Sequence, residues 1–372
     1  MKLLRTRIPR ISPTLFTVPM GTGIASVTIS HLGTARPIQI IGFALFMLNV
    51  GIFSTLTLAY LLRLLSVPNQ LSQDLSHRND ALFFGAVPMA LATIVNATAI
   101  YSKGFFGHEA SSLVLTLWVI DLVLAAAAGA VVPYAMFTRH QNRFEHLSVF
   151  WLIPIVPAEV TAASGGLIIP LLPEVPRQAV WIGSLLAFSL SVPLALGVLT
   201  LVFLKFATHG IPRANFAASA WIAIGPLGTG ALALVELTHD VQANWFHALP
   251  VIGPAMDVIG LIGGIVLWGY GLWWWVIAVA LSIKLLAQNS HFDMGWWAFT
   301  FPLGVFNLAT YAIGIDFRIT PFKIFAYAQT GLLCFIWLTV ALKTPGWLRA
   351  NLKAEDQLIE AGAHETRSSV AA

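Results

Sequence analysis

Long runs of apolar residues dominate the chain and recur from near the N-terminus to about residue 343. Runs such as 40–62, 113–132, 179–204 and 258–283 each have the roughly 20 residues that cross a hydrocarbon layer of about 30 Å as a helix. The pattern predicts an all-α polytopic membrane protein with ten transmembrane helices. The predicted spans are 14–33, 39–65, 80–101, 110–138, 147–170, 178–206, 214–237, 255–286, 295–315 and 321–343.

Composition supports this interpretation. Hydrophobic residues make up 58% of the 372 residues and charged residues only 10%, whereas an average soluble domain has about 25% charged residues. The single cysteine, Cys334, excludes disulfides within the chain and CxxC sites. The basic N-terminus contains Pro9 and Pro13 and leads into a full-length apolar segment, which favours a retained tail over a signal peptide.

The placement of basic residues predicts the orientation. With the N-terminus inside, the predicted inner segments hold 15 of the 20 Lys and Arg residues. The positive-inside rule therefore predicts cytoplasmic N- and C-termini and a multi-pass protein of the plasma membrane. It also divides the chain into a cytoplasmic tail (1–13), a transport domain (14–343) and a second cytoplasmic tail (344–372).

A repeat of about 70 residues runs through the apolar region. Each odd-numbered span contains a proline and glycine break, and one proline from each lies at positions 19, 88, 157, 226 and 302, with spacings of 69, 69, 69 and 76 residues. A period of this kind predicts five helical hairpins in sequence and favours their arrangement as a ring.

The breaks also indicate which helices face inward. Proline removes a helical hydrogen bond, and a freed carbonyl at membrane depth is tolerated only beside protein or a water-filled cavity. We therefore expect the odd-numbered helices to line the pore and the even-numbered helices to surround them. The alternative is that glycine and proline here only allow close helix packing, as they often do in membranes; the regular period favours a shared path.

The predicted path is polar but uncharged at its centre, since the odd-numbered spans carry hydroxyl and amide side chains and no central Lys or Arg. This favours a small or weakly hydrated anion, attracted by the partial positive charge of helix N-termini after the breaks. The candidate pore-lining or helix-break residues are Pro19, Gly21, Thr22, Gly23, Pro88, Pro157, Glu159, Ser164, Gly165, Pro226, Gly228, Thr229, Thr300, Pro302 and Gly304.

Glu159 is the one acid placed inside a broken span. Carboxylates at such depth usually face a protein interior or a cavity and often take part in proton or ion pathways. A structural role and a proton-coupled role both remain open for Glu159, while packing between helices is the favoured role of Asp121.

No motif indicates an enzyme. Gly21-x-Gly23 lacks the third glycine of a dinucleotide loop, and the histidines form no metal-ligand pattern. The sequence predicts no catalytic residue, no metal, no cofactor and no nucleic-acid partner.

Three segments resemble a known family: FTVPMGTGIAS (16–26), WLIPIVPAEVTAASGG (151–166) and DMGWWAFTFPLGVF (293–306). They are similar to the tellurite-resistance/dicarboxylate transporter (TDT) family, which includes the TehA tellurite-resistance protein, fungal malic-acid permeases, fungal sulfite efflux pumps and the plant guard-cell slow anion channel. The resemblance extends over nearly the whole chain.

The resemblance implies a central pore in each subunit of a homotrimer, gated by a phenylalanine of the ninth helix. Phe301 aligns best with that gate, with Phe299 and Phe306 as alternatives. The implied function is transport of sulfite or a C4-dicarboxylate such as malate, and the absence of central cations favours the smaller anion. The alternatives are a chloride- or nitrate-type channel and, from another class, an intramembrane enzyme or receptor.

Overall fold

A computed structural model describes residues 11–105, 110–211, 219–241, 252–286 and 292–370. This part of the chain is all-helical, as predicted. The predicted N-terminal tail lies outside the described residues except for positions 11–13.

Ten long helices follow one another, and we number them α1 to α10. Their bounds are Thr17–Ser30 (α1), Arg36–Ser66 (α2), Ala86–Phe105 (α3), Ala110–Thr138 (α4), Pro157–Ile168 (α5), Glu174–His209 (α6), Ile224–Val241 (α7), Ile252–Leu286 (α8), Thr300–Asp316 (α9) and Thr320–Val370 (α10). Two short helices, Gln70–Ser76 and Arg78–Leu82, connect α2 to the segment before α3.

Eight stretches of the described chain are long and apolar enough to cross a membrane. The candidate spans include every long helix except α1 and α5, which have only 14 and 12 residues. The membrane character of the protein is thus confirmed, and the prediction of ten spans is confirmed for eight.

The sequence predicts prolines in the middle of the odd-numbered helices, but the structure places them in the first turn of each helix. Each is preceded by a short 3₁₀ segment, and the α-helix begins at or just before the proline. These segments are Pro13–Phe16, Phe83–Gly85, Val149–Leu152, Trp221–Ala223 and Met294–Phe299. Pro157 is the first residue of α5, and Pro19, Pro88, Pro226 and Pro302 are the third residues of their helices. The first-turn N–H groups of a helix have no intrahelical acceptor, so proline costs no helical hydrogen bond there.

Contacts between the odd-numbered helices form a closed circuit. Helix α1 packs against α3, α3 against α5, α5 against α7, α7 against α9, and α9 against α1. Each even-numbered helix packs against the odd-numbered helix before it and also contacts the next one in the circuit. We refer to α1, α3, α5, α7 and α9 as the inner helices and to the others as the outer helices.

Burial separates the two sets. The most apolar stretch of 18 residues is 78 to 83% buried in the spans that contain α3, α7 and α9. The corresponding stretch is only 22 to 39% buried in the spans of the outer helices. Large apolar side chains such as Phe137, Phe335 and Leu342 are exposed on the outer helices. An uncharged apolar surface of this kind suits contact with lipid.

Helix α10 extends beyond the last predicted span. The sequence predicts that the last span ends at residue 343, but the helix continues through Pro345 to Val370. Leu, Lys, Ala, Glu and Gln are common between 348 and 361, and these residues favour helix even where no apolar run continues.

Glycine allows the inner helices to approach closely. A Cβ atom on Gly228 of α7 would lie 2.7 Å from the backbone N and Cα atoms of Phe306 on α9. Since both neighbours are backbone atoms, no side-chain rotation relieves the clash. Gly197 on α6 is a natural contrast, because a Cβ there meets no atom within 4 Å.

We expect Gly228→Ala to destabilise the protein by about 1–3 kcal/mol through overpacking. Gly197→Ala should change stability by about 1 kcal/mol or less, in the favourable direction, because alanine is the better helix former. The measurement is the temperature at which half of the detergent-purified protein loses its monodisperse form. Equal midpoints for the two variants would contradict the close contact of α7 with α9.

Candidate functional site: an axial series of cavities

A small cavity lies where the five inner helices begin. Its volume is about 40 Å³, and every inner helix or its leading 3₁₀ segment contributes to its wall. The wall is apolar except for the Thr17 hydroxyl, which donates to the Thr14 carbonyl oxygen (2.7 Å). We call it the central cavity; its lining includes Met20, Phe83, Met89, Phe150, Val156, Gly225, Pro226, Phe301 and Pro302.

Phe301 is the ninth-helix phenylalanine that lines the central cavity, and it is 2% exposed. The two alternatives point elsewhere. Phe299 packs edge-on against Trp221 at a centroid distance of 5.8 Å, and Phe306 stacks on Trp268 of α8 at 5.6 Å. Side-chain direction therefore separates three residues that the sequence alone leaves close to equivalent.

A larger, more polar cavity adjoins the central cavity at the N-terminal ends of the inner helices. This inner vestibule measures about 510 Å³ and shares Phe83, Phe150, Met294 and Gly295 with the central cavity. Its lining also includes Lys205, whose ammonium group donates to the carbonyl oxygens of Glu145 (2.6 Å) and Leu147. The vestibule therefore offers a partly buried cation beside the central cavity.

One carboxyl group also lines the inner vestibule. Asp293 precedes α9 and accepts a hydrogen bond from the Gly295 N–H at 2.8 Å. Partial burial raises the pKa of this carboxyl, and the hydrogen bond from Gly295 opposes the rise.

An outer cavity of about 210 Å³ lies toward the C-terminal ends of the same helices, and all five again contribute to its wall. Its polar lining consists of His31, Asn96, Glu236, His239, Tyr311 and Asp316. Two carboxyl groups and helix C-termini, which carry partial negative charge, make this end electrostatically opposite to the end with Lys205.

The central and outer cavities share no lining residue. Lining residues on one helix lie seven positions apart, as in the pairs Met20 and Val27, Met89 and Asn96, and Val156 and Ala163. At 1.5 Å per residue this offset corresponds to about 10 Å of packed helix. The two sets of lining residues are thus separated by about two helical turns along the axis.

Of the candidate residues from the sequence, Phe301, Pro226 and Pro302 line the central cavity. The candidate glycines lie at helix contacts instead. A Cβ on Gly21 would meet Thr300 and Trp297, on Gly23 it would meet Thr93 and Asn49, on Gly165 it would meet Ser184, and on Gly304 it would meet Ile24. Gly228 packs against Phe306, as described above. These positions support the close-packing interpretation of the glycines.

The candidate hydroxyl groups and Glu159 make hydrogen bonds within the helix bundle, either to their own helix or to a neighbouring one. Thr22 accepts from the Trp337 indole (3.2 Å), Thr300 donates to the Trp297 carbonyl oxygen (2.7 Å), and Ser164 donates to the Val160 carbonyl oxygen (3.1 Å). The Glu159 carboxyl is fully buried, and its Oε1 atom lies 2.8 Å from the Thr229 hydroxyl of α7. Glu159 therefore lies at the contact of α5 with α7 and does not line the central cavity.

The sequence analysis missed Lys205 and the polar lining of the outer cavity. Lys205 belongs to an outer helix, and the outer-cavity residues follow the breaks by about two turns. Asn96 and Ala163 lie seven residues after Met89 and Val156, which are next to the prolines of the breaks. This spacing would have identified them as lining residues of the outer cavity. Among the described residues, no group of three or more His, Cys, Asp or Glu side chains is placed to hold a metal ion.

Comparisons with known proteins agree with this arrangement. The family described as voltage-dependent anion channel matches residues 10–345. A sulfite efflux pump of Trichophyton rubrum is 33% identical over 341 residues, covering 90% of this chain and 89% of that protein. An uncharacterized transporter of Methanocaldococcus jannaschii is 26% identical over 347 residues, covering 92% and 96%. The malic acid transport protein of Schizosaccharomyces pombe is 21% identical over 341 residues, covering 90% and 78%. The resemblance indicated by the three sequence segments is confirmed.

Proposed function

The chain belongs to the voltage-dependent anion channel family, and we propose that it moves small anions across the membrane along the axis of its five inner helices. The observation that carries the proposal is the pair of cavities, central and outer, each lined by all five inner helices. A path shared by five similar helices accounts for the repeat of about 70 residues in the sequence.

The proposed architecture is a ring of five helical hairpins around a central pore, with ten spans. The closed circuit of contacts among the inner helices supports the ring. Helices α1 and α5 reach the length of a span when their leading 3₁₀ segments are included, since backbone buried in protein need not be α-helical at membrane depth.

The lining favours a small anion. No charged side chain lines the central cavity, so an anion there interacts with helix N-terminal dipoles and with aromatic and thioether edges rather than with a fixed cation. A dicarboxylate such as malate carries two charges that a cavity of about 40 Å³ without a cation does not balance. Sulfite is smaller than malate and is present in part as the monoanion bisulfite near neutral pH. We therefore propose sulfite as the principal substrate, consistent with the similarity to sulfite efflux pumps, and malate as the alternative.

We propose Phe301 as the gate. Its ring lines the central cavity at the first turn of α9, where rotation about χ1 would swing it across or away from the axis. Hydrophobic constrictions of this kind close a pore by excluding water and ions.

The remaining assignments rest on family resemblance and charge placement. We propose a homotrimer in the plasma membrane with both termini cytoplasmic. In this orientation the inner vestibule with Lys205 faces the cytoplasm, and the outer cavity with Glu236 and Asp316 faces outward. The charge difference between the ends favours entry of anions from the cytoplasmic side and opposes their return.

Replacing Phe301 with alanine should raise anion flux severalfold, because it removes the phenylalanine ring that α9 contributes to the wall of the central cavity. Phe306→Ala is the matched control: Phe306 packs on Trp268 away from the cavity, so its truncation should not raise flux. The measurement is anion efflux from proteoliposomes containing equal amounts of folded protein. Unchanged flux in the Phe301 variant would remove this residue from gating.

A radiotracer panel of sulfite, malate, chloride and nitrate tests the substrate. We expect sulfite to move fastest and malate at least about tenfold more slowly, a difference of about 1.4 kcal/mol in the barrier. Equal or faster malate flux would overturn the substrate assignment in favour of the dicarboxylate. Faster chloride or nitrate flux would favour a channel for those ions, and no flux of any anion would contradict the transport function itself.

A further inference from the structure

Every inner helix contains a threonine with the same pair of contacts. Its hydroxyl group lies within hydrogen-bond distance of a carbonyl oxygen one turn earlier, and a side chain from another helix approaches the same hydroxyl. The five threonines are Thr22, Thr93, Thr161, Thr229 and Thr310.

In three of the five cases the approaching side chain is a hydrogen-bond donor. Thr22 accepts from the indole N–H of Trp337 (3.2 Å), and Thr93 accepts from the side-chain amide of Asn49 (3.0 Å). Thr310 accepts from the indole N–H of Trp268 (2.8 Å) and from Gln329 (3.3 Å). In these cases the threonine accepts from one or two side chains of other helices and donates its own proton to its helix.

In the other two cases the approaching group is a carboxyl. Asp121 Oδ2 of α4 lies 2.6 Å from the Thr161 hydroxyl, which is 3.0 Å from the Pro157 carbonyl oxygen. Glu159 Oε1 lies 2.8 Å from the Thr229 hydroxyl, which is also 2.8 Å from the Gly225 carbonyl oxygen. A hydroxyl has one proton, so an ionised carboxylate would place two acceptors on a single donor.

A protonated carboxylic acid supplies the second donor proton that this arrangement lacks. Its O–H donates to the threonine oxygen, and the threonine donates to the carbonyl, as in the other three inner helices. We propose that Asp121 and Glu159 are neutral carboxylic acids that act as hydrogen-bond donors, and that Glu159 is a proton-binding positioning residue for the wall of the central cavity.

The surroundings of the two acids agree with neutrality. Both side chains are 0% exposed, and Asp121 Oδ1 and Glu159 Oε2 have no hydrogen-bond partner within the part of the chain that the structure describes. Two buried carboxylates lacking a full set of donors would be costly at membrane depth, whereas two neutral acids are much less so.

Among the described residues, no basic group lies beside Glu159 to offset a charge on its carboxylate. Next to it on α6 is Ser191, whose hydroxyl donates to the Ile155 carbonyl oxygen (2.9 Å). Of the titratable groups on the packed helices, Asp121 on α4 faces Thr161, and Glu236 on α7 packs against Gly166. Helix α3 presents the apolar Val95 and Ala99 to this region. The titratable groups that face α5 are thus acidic.

Glu159 reaches the central cavity through Thr229. The carbonyl oxygen to which Thr229 donates belongs to Gly225, and Gly225 and Pro226 line the cavity. When Glu159 loses its proton to solvent, the O–H bond breaks and the negative charge stays on the carboxylate. The Thr229 proton then turns from Gly225 to that carboxylate. The cavity wall loses a hydrogen bond and gains a nearby negative charge, and both changes oppose passage of an anion.

Infrared spectroscopy of the purified protein tests the protonation state directly. At about pH 7, where exposed carboxyl groups are ionised, we expect a carbonyl stretching band from protonated carboxylic acids, weakened in Glu159→Gln and in Asp121→Asn. Glu174→Gln, which replaces an exposed acid at the start of α6, is the control and should leave the band unchanged. Absence of the band from the unmodified protein would by itself overturn the proposal. A band that neither substitution weakens would overturn its assignment to Glu159 and Asp121.

The flux measurement tests the link to the cavity and rests on the proposed function. In proteoliposomes we expect flux to fall as pH rises, approaching about tenfold per pH unit once Glu159 ionises. Glu159→Gln should retain flux and lose this dependence, because the glutamine amide donates to Thr229 at every pH. The same pH dependence in both proteins would overturn the link. If the carboxylic-acid infrared band is present but no anion is transported, the transport function is contradicted. The proposal that Asp121 and Glu159 are neutral is then unaffected.

Discussion

A backbone polar group at membrane depth has to find its hydrogen-bond partner within the protein, and the arrangement of this chain depends on that constraint. Each inner helix begins inside the apolar region with a 3₁₀ segment. The prolines lie in the first turn, where a backbone N–H has no acceptor within the helix. The missing N–H of proline therefore leaves no helical carbonyl oxygen without its hydrogen bond. This placement lets five helices begin at one level around one cavity without unpaired groups facing lipid.

The same constraint shapes the contacts between helices. Glycines such as Gly228 bring inner helices within backbone contact. Each repeated threonine links a side chain of another helix to the preceding turn of its own helix. The two ends of the axis then differ in charge, with Lys205 at one end and Glu236 and Asp316 at the other. The vestibule with Lys205 also contains Asp293, and the central cavity between the two ends has an apolar lining.

The sequence predicts helix positions well because the tendency of a segment to enter lipid depends on the apolar residues of that segment alone. The predicted span 110–138 coincides with α4, and 39–65 lies within three residues of Arg36–Ser66 at either end. Hydropathy does not distinguish the first turn of a helix from its middle, so the prolines were placed at mid-helix breaks. It also does not report helix propensity beyond an apolar run, and for this reason the extension of α10 past residue 343 was missed.

The candidate site was predicted less completely, because it depends on side-chain direction and on contacts between distant segments. The repeat places Pro226 and Pro302 at the breaks, and the family resemblance indicates Phe301; all three line the central cavity. The glycines carry the same repeat but serve packing. Lys205 was missed because its position beside the carbonyl oxygens of Glu145 and Leu147 follows from the packing of α6 against the segment before α5.

Chemical modification at one cavity position tests the axial path most directly. The only cysteine, Cys334, is first replaced by alanine, and Met89→Cys, in the central cavity, is compared with Leu342→Cys on the exposed surface of α10. Both proteins are treated with a charged methanethiosulfonate before reconstitution, and full modification is verified by mass spectrometry. The account predicts that modification abolishes anion flux at Met89→Cys and leaves it unchanged at Leu342→Cys. Full flux through completely modified Met89→Cys protein would contradict a path between the inner helices.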